Sequence, residues 1–506
     1  MLTGVVDGST PPSSRSPHEI DAAASARSGG PSARATLALC AALLAAGALV
    51  RLLPCWNDFW LDEIWSWESA RALTSPLGVF TEIHHSNNNH LNTLLIWALG
   101  DRDDWAIYRL PAFVAGVASV ALAGWLAAQR GRLEAVFATL LCAACFALIH
   151  FSSEARGYSL MVFFALAALA ASDHFERSGS RTAAAVFSAC VVLGFLAQLF
   201  FVFFWAGVFV QGLWRALRRG GDAWWRLLAL HGLPAFAFAA LWIVDLRYLE
   251  ESGGPPVDVS LLLARIIGFT LGLPIARELV LSGALFTAAV LGLALAKLAR
   301  EGDDAWLLHA IAIVIAPALG FASLRPEVIE LRYFLIGITL WLLLASFVLA
   351  DAWRSGGVRR AIVAALVAAF VAGNAVHTAA FLRDGRGGFE RALRYMAAHS
   401  SGSEVVVGSD HDFRNGTVLL FYARRLPPEK HLVYLPRRRW PLEGPEWLVV
   451  HAASRPAEPP ALLELRSARR YALAAEFDYA AISGFWWGVY RNLAAPGDPL
   501  PQRTRR

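Results

Sequence analysis

Charged side chains are scarce in this sequence. Of 506 residues, 17% are Asp, Glu, Lys or Arg and 57% are hydrophobic, whereas a soluble domain carries about 25% charged residues. With mean hydropathy +0.47, the chain falls outside the soluble globular classes and reads as an α-helical polytopic membrane protein. Nucleotide-binding loops are missing as well, since neither GxxxxGK[ST] nor GxGxxG occurs. Cysteines are few, and Cys40, Cys55, Cys142, Cys145 and Cys190 all lie in or beside apolar runs, so no disulfide framework is implied. Cys142-Ala-Ala-Cys145 has the spacing of a redox pair, but on a hydrophobic span two small thiols read as packing residues. The net charge of +5 does not indicate nucleic acid, because the arginines come in short clusters between apolar runs, where they determine topology.

Residues 1–34, rich in Ser, Pro, Gly and Ala, cannot bury enough apolar surface to fold alone and are predicted to be a disordered cytoplasmic tail. The run from Ala35 to Leu53 follows a polar tail without a convincing cleavage site, which makes it a retained anchor. Further apolar runs at 106–128, 133–150, 157–175, 182–199, 200–217, 227–246, 276–298, 304–323, 333–352 and 359–381 bring the expectation to about eleven transmembrane helices. Arg130 and Arg132, Arg177 and Arg181, Arg215 to Arg226, Lys297 and Arg300, and Arg354 to Arg360 mark alternate loops, which are predicted to be cytoplasmic. The run Leu91–Leu99 is too short to cross and is expected to lie as a helix at the external surface.

From about Asp384 the pattern changes. Glu404–Gly408, Trp447–His451 and Phe485–Tyr490 read as strands, and Phe389–His399 and Pro460–Arg470 as amphipathic helices. The expected organisation is a tail (1–34), a transmembrane domain (35–383) with a first external loop at 54–104, and a small extracytoplasmic α/β domain (384–506).

The first loop opens with NDFWLDEIWSW, residues 57–67, an adjacent carboxylate pair, Asp62 and Glu63, among tryptophans. It also holds Glu68, Glu82, His84, His85, Asn87, Asn88, Asn89 and His90. Acids and Trp are ordinary in an interfacial belt, and a lone Arg there can be a snorkelling anchor. Three more clusters fall on the same predicted face, however: SSEARGY at 152–158, with Glu154, Arg156 and Tyr158; ELRY at 330–333, with Arg332 and Tyr333; and Arg109 ahead of Pro111. Charges so close to hydrocarbon cost on the order of a few kcal/mol each unless paired or facing a wet cavity. The planar fork of an arginine matches a phosphate's oxygens, so Arg156 and Arg332 suit a phosphate leaving group. Sugar transfer by direct displacement also needs a base for the acceptor hydroxyl, for which Asp62 or Glu63 is the candidate. His84, His85 and His90 lack a supporting ligand pattern and read as polar loop residues; a divalent metal is possible but not predicted, and no cofactor is required.

Taken together, the acidic pair after the first span, the His-containing Asn-rich stretch, Arg109-Leu110-Pro111, the pattern of Ser152–Leu160 and Arg332-Tyr333-Phe334 resemble bacterial GT-C membrane glycosyltransferases. Those are relatives of the protein O-mannosyltransferases and the aminoarabinose transferase. The resemblance runs over about residues 35–380. It implies a GT-C fold and an inverting transferase in the inner, cytoplasmic membrane, using a polyprenyl-phosphate-linked sugar donor and an extracytoplasmic glycan, lipid or protein acceptor. It further implies Asp62 as catalytic carboxylate with Glu63 in support, and Arg156, Arg332, Arg109, Glu154, Tyr158, Tyr333 and His90 around donor and substrate. Relatives often carry His-Pro-Pro where this chain has His90-Leu91-Asn92, and His-Tyr where it has Gln198-Leu199, so the resemblance does not extend to the identity of sugar or acceptor.

Three rival readings compete with this one. An oligosaccharide ligase would use a diphosphate carrier, so the phosphate count of the donor lipid separates it. A lipid or polysaccharide transporter would place its ionisable groups near the midplane and show internal repeats, whereas the informative charges here sit at one face. A non-catalytic scaffold would be indifferent to changes at Asp62.

Overall fold

The computed structural model describes residues 32–249, 257–326, 328–465, 469–480, 482–494 and 504–505. Apart from its last three residues, the predicted tail lies outside them. The first helix, Ala33–Leu52, begins where Ser32 Oγ accepts the Ala35 amide at 3.2 Å.

Among the described residues, nine helices are long and apolar enough to cross a membrane. Two other expected spans take different forms. Arg181–Ala197 is an apolar helix of 17 residues. The run 133–150 breaks at Cys145 into Arg132–Ala144 and Phe146–Phe151, with Cys145 extended (ψ 116°). A break inside an apolar bundle frees backbone groups that lipid cannot satisfy; here the Phe146 amide donates to Asn374 Oδ1 at 2.7 Å. A short helix, Val259–Leu271, was not anticipated.

The basic loops gather at one end of the bundle. Arg130 pairs with Asp303, Arg215 with Asp304 (2.5 Å), Arg354 with Glu134 (2.5 Å) and Lys297 with Asp351. Loops that the Lys and Arg pattern groups on one side are therefore joined to one another by ion pairs.

The opposite end carries the first loop and a seven-stranded sheet: β1 (Glu404–Ser409), β2 (His431–Tyr434), β3 (Trp447–Ala452), β4 (Leu462–Leu465), β5 (Arg469–Phe477), β6 (Trp486–Asn492) and β7 (Thr504–Arg505). Its order is β2-β1-β3-β6-β5-β4, with β7 on β5. β1 runs parallel to β2 and β3, and along β3, β6, β5 and β4 each strand is antiparallel to its neighbour. The segment Pro460–Arg470, expected as a helix, instead supplies β4 and the start of β5. Its alternation decides the matter: Leu463 and Leu465 pack toward Tyr471, Leu473 and Tyr490, while Leu462 and Glu464 are exposed, a period of two rather than 3.6.

Helices Phe389–His399 and Asp412–Ala423 join the sheet to the first loop. Phe59, Trp60, Ile64 and Tyr108 share one core with Val405, Val407, Phe421, Tyr422, Trp447 and Trp487. Tyr422 Oη donates to the Phe59 carbonyl at 3.0 Å, and the Glu390 amide to Asp58 Oδ2 at 3.0 Å. Burial pushes the Asp58 carboxyl up to about 6.

Candidate active site

The helix Leu61–Ala72 starts after Trp60, whose amide donates to Glu63 Oε2 at 3.3 Å. Two acids in a first turn suit the helix dipole. Consecutive side chains on a helix point about 100° apart, so Asp62 and Glu63 meet different surroundings.

Glu63 is fully buried. Arg109 clasps it through Nε (2.8 Å) and Nη2 (2.6 Å), and the Ala155 amide donates to its Oε1 at 2.7 Å. Arg109, also fully buried, spends its remaining donors on the carbonyls of Cys55, Asn57 and Asp58. These two residues, expected at the substrate, form a sealed wall of side chains beside Asp62. Glu154 is likewise sealed: it accepts from Ser483 Oγ at 3.1 Å and lies 3.5 Å from His150 Nε2 and 3.8 Å from Arg386 Nε, every one of these side chains buried.

Asp62 faces the other way. Its Oδ2 accepts from Arg332 Nη1 at 2.7 Å and lies 3.7 Å from Arg156 Nη1. Arg156 also donates to the Asp62 carbonyl (3.1 Å), to Asn87 Oδ1 and to Tyr158 Oη (3.2 Å). The Tyr158 ring is near both guanidiniums, 5.5 Å from that of Arg156 and 5.8 Å from that of Arg332. Tyr333 stacks on Phe200 at 3.9 Å and flanks Arg332. Both arginines keep a buried Nε–H with no partner among the described residues, which leaves capacity for a further anionic acceptor.

The loop carrying Arg156 is pinned from three sides. Ala155 bonds Glu63 through its amide and Asn92 Nδ2 through its carbonyl (2.8 Å), and the Gly157 amide donates to Asn89 Oδ1 at 3.3 Å. A Cβ at Gly157 would meet the Ala197 carbonyl oxygen at 1.8 Å, so only glycine fits this crossing. His90, expected near substrate, is instead bound through Nε2 to Asp245 Oδ2 at 2.6 Å, while His84 Nδ1 takes Oδ1 at 2.7 Å. Asp245 and Arg386 were not foreseen. Each closes or follows an apolar run, where an ionisable residue asks for a partner. Among the described residues no group of three or more His, Cys, Asp or Glu side chains is arranged to hold a metal ion.

ArnT from Cupriavidus metallidurans in the apo state has a similar structure, with TM-score 0.53 and 14% identity over 91% of this chain and 99% of that one. The same protein bound to undecaprenyl phosphate gives TM-score 0.52 at 14% identity and the same coverage. The chain has a GT-C fold. No family model matches the sequence, and no curated protein sequence does. In this GT-C fold the pair Asp62 and Arg332 joins the first loop to the start of the span Leu331–Arg354.

Proposed function

We propose that the chain is a membrane glycosyltransferase that moves a sugar from a polyprenyl-phosphate carrier to an extracytoplasmic acceptor, with the basic-loop end of the bundle in the cytoplasm. The observation that carries this is the pairing of one accessible carboxylate, Asp62, with two arginines whose Nε–H groups have no partner among the described residues. The fold shared with a protein bound to undecaprenyl phosphate supports the donor class.

In this reading the ion pair between Asp62 and Arg332 is the resting state. The donor's phosphate binds Arg332 and Arg156, and its negative charge draws the guanidiniums from Asp62. The freed carboxylate takes the acceptor O–H proton as the acceptor oxygen bonds to the anomeric carbon. The C–O bond to phosphate breaks with its electron pair on the leaving polyprenyl phosphate, where Arg332 and Arg156 stabilise the charge. Attack opposite the leaving group gives inversion. Tyr158 accepts from Arg156 and packs near Arg332, which Tyr333 also flanks. Glu63, Arg109 and Glu154 hold the frame, and His90 with His84 ties the loop to Asp245.

The test is transfer from a synthetic polyprenyl-phosphate sugar by the purified protein in nanodiscs, scored with Arg332→Ala and a diphosphate carrier. Equal use of mono- and diphosphate donors, or donor binding unchanged in Arg332→Ala, would overturn the reading.

A further inference from the structure

The carboxyl ends of β1 and β3 meet beside the first loop. β2 lies on one side of β1 and β3 on the other, all three parallel, so the direction of travel across the sheet reverses between β1 and β3. In open α/β sheets a ligand crevice forms at such a reversal, outside the carboxyl ends of the strands.

The residues placed there are polar and held in fixed orientation. Asp410 follows β1, accepts from Asn415 Nδ2 at 2.7 Å and from the His451 amide at 3.2 Å, and lies 2.8 Å from His451 Nδ1. The other ring nitrogen of His451 lies 3.4 Å from Arg414 Nη1. Asn415 is fully buried, and its Oδ1 has no partner among the described residues. A buried amide oxygen left unpaired is destabilising unless a bound partner completes it.

Aromatic rings lie beside this group and reach the helix that carries Asp62. Phe485 lies 5.3 Å from the His451 ring, 5.7 Å from the Arg414 guanidinium and 6.3 Å from Trp60. Phe413, 49% exposed, meets Trp65 edge-on at 5.4 Å. Trp65 stands three residues beyond Asp62 on one helix, and side chains at that spacing share a face. The local charge is positive. Asp410 is engaged as above, and Asp412 accepts from Tyr434 Oη (2.9 Å) and from the Arg437 amide (3.2 Å). Against them stand Arg414 and the exposed Arg437, Arg438 and Arg439 in the turn after β2.

We infer that this crevice is the acceptor subsite and that it takes an anionic saccharide. The rings stack on sugar faces, the partly exposed pair of His451 and Asp410 bonds hydroxyls, and Arg414 binds a carboxylate or phosphate substituent. The inference rests on the reading of Asp62 as the base toward which the acceptor is presented.

The experiment measures binding of oligogalacturonate and of neutral maltohexaose to the full chain in nanodiscs. Oligogalacturonate is expected to bind, to weaken roughly tenfold in Arg414→Ala, to recover partly in Arg414→Lys, and to outbind maltohexaose by about as much. His451→Gln reads the same site should Arg414→Ala fail to fold. Displacement of oligogalacturonate by phosphatidylinositol in the nanodisc would support the site with a lipid headgroup as source; undiminished binding would support it with a soluble glycan as source. Equal affinity of parent, Arg414→Ala and His451→Gln, or equal affinity for the neutral sugar, would overturn it. Failure of the transferase reading appears elsewhere, as polyprenyl-phosphate binding indifferent to Arg332→Ala.

Discussion

Two ion-pair clusters stand side by side at the sheet end of the molecule. In the wall, Glu63 and Arg109 are both fully buried, bidentate, and share their remaining bonds with backbone amide and carbonyl groups. In the opening, the side chains of Asp62 and Arg332 retain 15% and 18% exposure, make one bond to each other, and leave the Arg332 Nε–H without a partner among the described residues. Both are carboxylate–guanidinium pairs; what separates the scaffold pair from the one proposed to meet substrate is leftover hydrogen-bonding capacity together with access. A fully satisfied buried pair fixes geometry, and an under-satisfied accessible one can exchange partners.

That contrast breaks most clearly at Asp62. Asp62→Asn keeps the shape and removes the basicity, so turnover is expected to fall by roughly 10²–10⁴ with polyprenyl-phosphate binding and thermal stability retained; parental turnover would dissolve the distinction from that side. Glu63→Gln addresses the other half. Leaving Arg109 buried without its counter-charge should cost about 3–5 kcal/mol of stability, visible as early thermal unfolding, while a well-folded Glu63→Gln of low activity would move Glu63 into the chemistry. Arg332→Ala is expected to weaken donor use about tenfold or more, the worth of one charge-assisted contact, and Arg332→Lys to restore part of it. The smallest effect concerns Asp58, where the sheet meets the wall. Its carboxyl is raised to about 6, above the usual unfolded value near 3.9. The folded chain therefore binds the extra proton, and its stabilising contribution, full below about pH 4, is lost as pH rises through 6. Asp58→Asn should flatten that slope in melts taken across the range.

Much of this organisation is carried by local sequence. Apolar runs and Lys and Arg clusters suffice for the bundle because lipid forces each spanning segment to satisfy its own backbone and basic residues mark alternate loops. Phe389–His399 was bounded correctly because its amphipathic period is strong. The charged motifs around Asp62, Arg156 and Arg332 also stood out, since charge beside hydrocarbon needs a reason. Other features depend on partners far along the chain. Cys145 breaks a helix that nothing local interrupts, because Asn374 receives the freed amide. Leu462–Leu465 becomes a strand because β5 offers it an edge and an apolar surface. Asp62 and Glu63 are adjacent acids whose difference is invisible in sequence. Tertiary structure alone decided which faces Arg332 and which Arg109, because the worth of a charge depends on the donors and the water around it.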